Sequence, residues 1–493
     1  MSSFDFSILA DPRAIGANTL PAHSDHRFFA SRDEAERAEA TRSESSFVRS
    51  LDGMWKFHYA LNPAAAPAPE TFADPNADLS GWADAWVPEH VQLAGWDRPQ
   101  YANVQYPWDG WEDIEPGQMP TVFNPVATYV TDVVVDEVSQ GERWVLTFEG
   151  AEGAVVTWVN GELVGFGTDA FTPTAFDVTA LLRPGVNRIA AQVPKWSGQS
   201  WIEDQDFYRF SGLFRSVTLT REPRAHVRDV AVRTVIAEDY SSAEIQVSVT
   251  VASASVTDDG VTVDVEVDGV ALTLAHSGSA NAVAPFGGRE PGDDESILTF
   301  TTTVDQPRLW SAEDPHLYRG SIEVHCGDEL SEVVPIRVGV RRFAIDDGVM
   351  TLNGQRIVFT GVNRHDFGLR GRVVTRDEVE ADVQLMKANN INAVRTSHYP
   401  NQSFLYDLAD EYGLYVIDEM NLESHGLWDK LMRAGGNYAG HTVPGDAPEW
   451  EATLLNRAAN MVQRDKNHPS ILMWSNGNES LSGPAIASVS EYF

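Results

Sequence analysis

Cysteine is almost absent from this sequence, in which Cys326 is the only one. A lone cysteine excludes an internal disulfide framework and is typical of proteins from a reducing compartment. Apolar runs of about 18 residues, the length that spans a bilayer, are absent too. The first residues, MSSFDFSILADPRAIG, lack the basic start and long apolar stretch of a secretory signal. We therefore expect a cytoplasmic protein with no membrane partner.

Basic residues are scarce, with 36 Lys and Arg against 72 Asp and Glu and a net charge of −36. Such a surface repels nucleic acid and anionic membranes, which argues against both as partners. An excess of charge ordinarily serves solubility, and a neutral substrate would be indifferent to it. The apolar content of 43% in 493 residues is that of a globular protein with two to four domains.

Short apolar runs between turn signals dominate the first two thirds of the chain. Residues 1–49 show no steady periodicity and are read as an N-terminal arm. Residues 50–222 carry many short strands, with Asn160-Gly161 as a hairpin signal, and predict a jelly-roll β-sandwich. Strands resume over 223–340, where VTVDVEVDG alternates cleanly, and predict an immunoglobulin-like β-sandwich.

Residues 341–493 change to alternating strands and helices, which predicts a parallel (β/α) barrel. The predicted strands cover 356–362, 391–397, 414–420 and 471–476. A capping box from Thr375 to Glu378 starts the first helix, with Val379, Val383 and Met386 on one face. A complete (β/α)8 barrel needs roughly 250 residues. We therefore expect the first half of a TIM barrel, cut within the catalytic domain.

Polar residues follow each predicted barrel strand, where barrel active sites lie. They are, in chain order, Asn363, Arg364, His365, Asp366, Arg395, His398, Tyr399, Asp418, Glu419, Glu423, His425, Asn478 and Glu479. A single histidine in such a place is usually structural, but four neighbouring polar strand ends favour an active site. Two carboxylates and an imidazole, from Glu423, His425 and Glu479, suit an octahedral Mg²⁺ site, although Glu423 could equally pair with an arginine.

These strand ends lie in blocks that resemble the large β-galactosidases of glycoside hydrolase family 2. The resemblance runs from about residue 50 to the last residue, in six ordered blocks: YANVQYP (101–107), EDQDFYRFSGLFR (203–215), GVNRHD (361–366), NAVRTSHYPN (392–401), YGLYVIDEMNLESHG (412–426) and RDKNHPSILMWSNGNES (464–480). It implies a jelly-roll sugar-binding domain, an immunoglobulin-like domain and a catalytic TIM barrel. The EDQD and ESHG blocks favour β-galactosidase over the β-glucuronidase and β-mannosidase branches.

The resemblance also implies roles for the last two strand ends. Glu479 matches the general acid/base, and Asn478 beside it matches a substrate contact. Glu423, His425 and Glu479 match the Mg²⁺ ligands.

Four more residues are implied to contact the sugar or its ions. His365 and His398 match contacts to galactose or to the transition state. Asn103 and Asp206 match residues that reach the sugar site from the first domain, and Asp206 also resembles a Na⁺ ligand. One departure is Asp366, where the family often has glutamate, and it affects the shape of the subsite rather than proton transfer.

The implied reaction is the retaining hydrolysis of terminal β-D-galactosides such as lactose. It needs two carboxyls roughly 5 Å apart, one as acid/base and one as nucleophile. The family's nucleophile is a glutamate on a later strand, and neither Glu419 nor Glu491 stands in a matching place. We therefore expect the nucleophile beyond residue 493 and no hydrolase activity from this chain alone.

Two alternatives remain open on the sequence. The chain could be a non-catalytic carbohydrate-binding or complementation fragment whose half barrel docks with a separate polypeptide. It could also act on a glucuronide or a mannoside within the same family. For the full-length protein we expect a homo-oligomer, by analogy with the family.

Overall fold

The structure, a computed structural model, describes residues 4–103, 105–252, 260–278, 295–433, 435, 443–445 and 447–493. Its helices in these ranges are α1 (Arg32–Thr41), α2 (Arg376–Ala388), α3 (Phe404–Tyr412), α4 (His425–Arg433), α5 (Glu451–Asp465) and α6 (Pro484–Tyr492). In the part of the chain so described, every helix is too short or too polar to cross a bilayer.

The first β-sandwich packs a seven-stranded sheet, in the order β1-β10-β9-β12-β6-β3-β4, on a four-stranded sheet, in the order β11-β7-β15-β2. Its strands are β1 (Gly16–Ala17), β2 (Val48–Ser50), β3 (Gly53–Ala60), β4 (Ala83–Val87), β5 (Tyr101–Ala102), β6 (Val126–Val135), β7 (Arg143–Phe148), β8 (Ala151–Glu152), β9 (Val155–Val159), β10 (Glu162–Gly167), β11 (Thr174–Asp177), β12 (Gly185–Pro194), β13 (Phe207–Tyr208), β14 (Gly212–Leu213) and β15 (Val217–Glu222). The hairpin predicted at Asn160-Gly161 is confirmed, since both residues have positive φ and join β9 to β10.

The second β-sandwich packs two four-stranded sheets, in the orders β16-β17-β21-β20 and β19-β18-β22-β23. Its strands are β16 (His226–Ile236), β17 (Ser242–Ala252), β18 (Val261–Val267), β19 (Val270–Ala271), β20 (Thr273–Gly278), β21 (Glu295–Asp305), β22 (Tyr318–Cys326) and β23 (Glu329–Val338). The Asp268-Gly269 turn predicted from the alternating stretch closes the β18–β19 hairpin. Inward valines and isoleucines of both sheets form the core.

The last part of the chain begins with a small antiparallel sheet of β24 (Phe343–Asp346), β25 (Val349–Leu352) and β26 (Gln355–Arg356). A parallel sheet follows, in the order β27 (Gly361–Arg364), β28 (Ala393–Thr396), β29 (Tyr415–Glu419) and β30 (Ile471–Ser475). The capping box of α2 is confirmed at Thr375 and Glu378, and the predicted apolar face is buried. The sheet therefore brings four carboxyl ends to one edge.

The prediction for the first barrel strand was wrong about its extent and about its burial. The prediction placed a buried strand over 356–362, but β27 begins at Gly361, and Val358 and Val362 are 60% and 36% exposed. Among the described strands β27 pairs with β28 alone, so its other edge is open. The sequence prediction also missed α4 and α6, and it placed His425 in a loop although this residue opens α4.

Arg215, at the end of the first sandwich, ties that domain to the parallel sheet. Its guanidinium is almost fully buried and lies 3.6 Å from the Asp366 carboxylate. It donates to the carbonyl oxygens of Phe171 at 2.6 Å and Pro400 at 2.9 Å. These partners belong to both domains, so the arginine joins them through buried, charge-assisted hydrogen bonds.

We expect Arg215→Ala to lower the free energy of unfolding by about 3 kcal/mol, because it leaves two buried carbonyl oxygens without a donor and weakens the pairing of Asp366. Chemical denaturation followed by tryptophan fluorescence measures the change. The matched control is Arg308→Ala, which removes a pair with Asp314 whose two side chains are both 62% exposed. This control should cost less than about 1 kcal/mol. Equal losses in the two variants would contradict the role of Arg215.

A buried carboxyl in the second sandwich makes the stability depend on pH. Glu332 of β23 is fully buried and accepts a hydrogen bond from the Val227 amide, and its Oε2 atom has no partner within the described ranges. Burial raises the pKa of Glu332 from 4.5 to about 8, which the amide hydrogen bond opposes and the charge of Glu222 supports. Between about pH 4.5 and pH 8, Glu332 is therefore protonated in the folded chain and ionised in the unfolded chain.

We expect the stability to fall as the pH rises from about 4.5 to about 8, by about 1.4 kcal/mol per pH unit from this group. Glu332→Gln mimics the protonated form and should remove this slope. Unfolding free energies near pH 6 and pH 8 measure it. The control is Glu329→Gln, an exposed position on the same strand, which should keep the slope. A slope unchanged in Glu332→Gln would refute the assignment.

Candidate active site

The carboxyl ends of β27 and β28 bring two predicted histidines together. His365 directly follows β27, and His398 follows β28 by two residues. Their rings are 5.6 Å apart and nearly perpendicular, and His365 Nδ1 lies 3.3 Å from the hydroxyl of Tyr399. Burial lowers the pKa of His365 to about 4, and the charges of His398 and Arg372 add to this effect. His365 is therefore neutral at physiological pH.

The ends of β29 and β30 assemble the three predicted metal ligands. Glu423 follows β29, His425 is the first residue of α4, and Glu479 follows β30. Each offers one ligand atom, and the three atoms lie within 4.8 Å of one another. Nδ1 of His425 is 2.9 Å from Oε2 of Glu479, yet in the described part of the chain it has no hydrogen-bond partner. Two potential ligand atoms thus approach closely without a hydrogen bond between them.

The donor set fits a hard divalent cation. Glu423 is fully buried, its Oε2 accepts from Nδ2 of Asn478 at 2.9 Å, and its Oε1 meets no partner among the described residues. Burial raises the pKa of Glu423 to about 8; the Asn478 hydrogen bond opposes this, and the charges of Glu479 and Asp204 support it. A cation would pair with the orphaned oxygen and favour the ionised carboxylate. Two carboxylates and one imidazole, completed by waters, match the ligands that Mg²⁺ accepts.

A loop of the first sandwich holds the Glu423 segment in place. The Glu423 amide donates to the carbonyl of Ile202 at 2.9 Å, and the Asp204 amide donates to the carbonyl of Glu423 at 3.0 Å. The Asp204 side chain accepts from the Gly426 amide at 2.6 Å and from Arg209 at 2.6 Å. The loop and the segment after β29 thus pair like two short parallel strands. This pairing could not be foreseen from the sequence, although Asp204 and Glu423 lie in the blocks quoted above.

Asp206 and Asn103, the two residues of the first domain predicted to reach the sugar site, lie in different surroundings. Asp206 accepts a hydrogen bond from the hydroxyl of Tyr101, and its charge acts on His365. It therefore lies within electrostatic range of His365. Asn103 lies exposed, two residues beyond Tyr101, and its sugar contact stays a prediction. Within the described ranges Asp206 joins no cluster of three metal-ligating side chains, so sodium also stays a prediction.

Glu419, at the end of β29, is a site residue whose role the sequence did not reveal. It is fully buried and receives two hydrogen bonds from Arg395, at 2.6 and 2.9 Å, and one from Nδ1 of His398 at 2.6 Å. Arg395 thus pairs with Glu419 and not with Glu423, so this arginine is not the partner that the sequence left open for Glu423. The adjacent acidic residues in YVIDE are the only local signal.

Models of three family domains match this chain in order. They are described as glycosyl hydrolases family 2, sugar binding domain (residues 48–223), glycosyl hydrolases family 2 (residues 225–341), and glycosyl hydrolases family 2, TIM barrel domain (residues 343–493). They confirm the expected fold class: two β-sandwiches followed by part of a TIM barrel.

Solved structures show the same architecture at low sequence identity. A β-glycosidase from Bacteroides vulgatus aligns with a TM-score of 0.64 and 21% identity, over 90% of this chain and 51% of that one. A β-glucuronidase from Bifidobacterium dentium aligns with a TM-score of 0.64 and 22% identity, over 90% and 70%. Likeness at this level establishes the fold alone.

Curated relatives are much closer in sequence. Proteins named beta-galactosidase from Halalkalibacterium halodurans and Lactobacillus delbrueckii subsp. bulgaricus are 43% and 42% identical over 99% of this chain. The chain spans 46% of the length of each, about half. The beta-galactosidase large subunit of Leuconostoc lactis is 38% identical over 98% of this chain and 76% of its own length. On these matches, the chain belongs to glycoside hydrolase family 2.

Proposed function

We propose that this chain carries the sugar-binding and acid/base part of a retaining β-galactosidase, which releases terminal β-D-galactose from galactosides such as lactose. The observation that carries the proposal is the cluster of Glu423, His425 and Glu479 within 4.8 Å, next to Asn478, at the strand ends. The names of the curated relatives support galactose as the sugar released.

Glu479 is the general acid/base in this proposal. Its side chain is 48% exposed, so it can reach a bound glycoside, whereas Glu423 and Glu419 are buried. As an acid it protonates the departing glycosidic oxygen, and as a base it then accepts a proton from the attacking water. Asn478, held between Arg395 and Glu423, presents its amide beside this carboxyl.

Glu423, His425 and Glu479 would hold Mg²⁺. When bound, this ion supplies a fixed positive charge that favours the ionised form of its carboxylate ligands. The chain itself prepares the site: the backbone pairing with the first sandwich orients Glu423, and α4 positions His425 at its first residue.

The two histidines of β27 and β28 contact the sugar in this proposal. A neutral His365 offers one donor and one acceptor to sugar hydroxyls without adding a charge. Asp206, whose charge acts on His365, offers carboxylate oxygens as acceptors for sugar hydroxyls in this proposal. Hydrogen bonds of this kind strengthen as positive charge develops on the sugar ring in the transition state.

The nucleophile must be a second, ionised carboxylate that can reach the sugar. Glu423 is buried and shares the metal cluster with Glu479. Glu419 is buried and saturated by Arg395, His398 and Ser475. Neither suits the role, so we propose that a later glutamate of the parent protein supplies it and that residues 1–493 alone do not turn over.

We expect Glu423→Gln to weaken Mg²⁺ binding at least about tenfold, because it removes a charged ligand and leaves an amide in its place. Isothermal titration calorimetry with MgCl₂ measures the affinity of the chain without any need for activity. The matched control is Glu411→Gln, at a glutamate that pairs with Arg337 outside the site, and it should bind as the unmodified chain does. Equal Mg²⁺ affinity of the unmodified chain and both variants would contradict the assignment of Glu423 as a metal ligand.

We expect no hydrolysis of nitrophenyl β-galactoside by residues 1–493 in the presence of Mg²⁺, since the nucleophile is missing. A longer form of the protein that includes the later barrel strands should hydrolyse it and should leave nitrophenyl β-glucuronide intact. In that form Glu479→Gln should lower kcat about 10²- to 10⁴-fold through the loss of acid/base catalysis. Metal-dependent turnover by residues 1–493 would show that the nucleophile lies within them.

A further inference from the structure

Glu419 is the most heavily hydrogen-bonded carboxylate at the strand ends. Its Oε2 accepts from Nε of Arg395 at 2.6 Å and from the Ser475 hydroxyl at 2.7 Å. Its Oε1 accepts from Nη2 of Arg395 at 2.9 Å and lies 2.6 Å from Nδ1 of His398. Its own amide donates to the Thr396 hydroxyl at 2.9 Å. Glu419 therefore links the ends of three neighbouring strands, β28, β29 and β30.

Its surroundings keep this carboxylate ionised. Burial alone would raise the pKa of Glu419, but the hydrogen bonds from His398, Arg395 and Ser475 and the charge of Arg395 outweigh it and lower that pKa. An ionised carboxylate accepts hydrogen bonds and donates none. Every group that faces Glu419 must therefore present a proton to it.

This requirement sets the tautomer of His398. Since Glu419 can only accept, the contact of 2.6 Å needs a proton on Nδ1 of the imidazole. A neutral imidazole carries one N–H, so its Nε2 is then an acceptor. The backbone is held as well, because the side-chain amide of Gln205 donates to the His398 carbonyl at 3.3 Å.

The Glu419 carboxylate also sets the orientation of the Asn478 side-chain amide, through Arg395. Arg395, fixed by its two bonds to Glu419, donates from Nη2 to Oδ1 of Asn478 at 3.0 Å. A guanidinium has no acceptor, so the oxygen of this amide must face Arg395. The amide nitrogen then faces Glu423 and donates to its Oε2 at 2.9 Å.

We propose that Glu419 is a positioning residue, which fixes the Nδ1–H tautomer of His398 directly and the amide orientation of Asn478 through Arg395. Nε2 of His398 is left to accept a hydrogen bond from a sugar hydroxyl, and this last step rests on the proposed function. Glu419 itself touches no substrate. Its action resembles that of a carboxylate which orients a catalytic imidazole through the opposite ring nitrogen.

The test is the tautomer of His398 in Glu419→Gln, read from the ¹⁵N shifts of the ring and their two-bond couplings to ring protons. The side chain keeps its shape but loses its charge, and one of its two oxygens becomes an NH₂ group, so the proton is held less firmly on Nδ1 and part of it should move to Nε2. The spectra are recorded above about pH 8, well above the ordinary histidine pKa of about 6.5. His398→Gln identifies the resonances by their loss, and circular dichroism checks the fold.

The unmodified chain should show His398 with its proton on Nδ1, and Glu411→Gln should keep it there, since Glu411 pairs with Arg337 and not with the site. A proton on Nε2 in the unmodified chain, or an identical pattern in Glu419→Gln, would overturn the proposal. Galactose is then added to the unmodified chain. A shift of the Nε2 resonance supports the proposed sugar contact, and no shift counts against that contact while the tautomer result still stands.

Discussion

The backbone pairing between Ile202–Asp204 and Glu423 is the constraint on which the rest of the site depends. It joins two domains by main-chain hydrogen bonds at the residue whose side chain is the most deeply buried of the metal cluster. Backbone bonds of this kind fix the position of a segment without depending on a flexible side chain. Because α4 begins two residues later, the same pairing also determines where His425 lies. The site is therefore a property of the interface and not of the barrel strands alone.

The buried carboxylates around this interface are paired with arginines. Asp204 pairs with Arg209, Glu203 with Arg457, and Glu419 with Arg395. Each pair satisfies a carboxylate that would be costly to bury alone. Glu423 differs, since its Oε1 has no partner among the residues that the structure describes. This unsatisfied oxygen supports the proposal of a cation at that place.

Much of the fold could be predicted from local sequence patterns. Most of the features that the predictions missed depend on contacts between residues far apart in the chain. The capping box at Thr375 and the Asn160-Gly161 turn depend on neighbouring residues, and the structure contains both. The late start of β27 and the exposure of Val358 could not be foreseen, since an apolar run has the same composition in a buried strand and in an exposed segment. The role of Glu419 also needed the structure, because its partners come from three strands. The structure gathers the predicted ligands, while their catalytic roles stay predictions.

The contact between Asp204 and the amide of Gly426 has a consequence for which sequences this protein can explore. A Cβ atom at residue 426 would lie 2.6 Å from Oδ2 of Asp204, closer than real contacts allow. Any other residue there would displace the Asp204 carboxylate, which accepts from the Gly426 amide and pairs with Arg209. A single alanine in the second half of the chain would thus disturb a buried ion pair of the first half. The two domains are coupled at this contact, although 222 residues separate Asp204 from Gly426 along the chain.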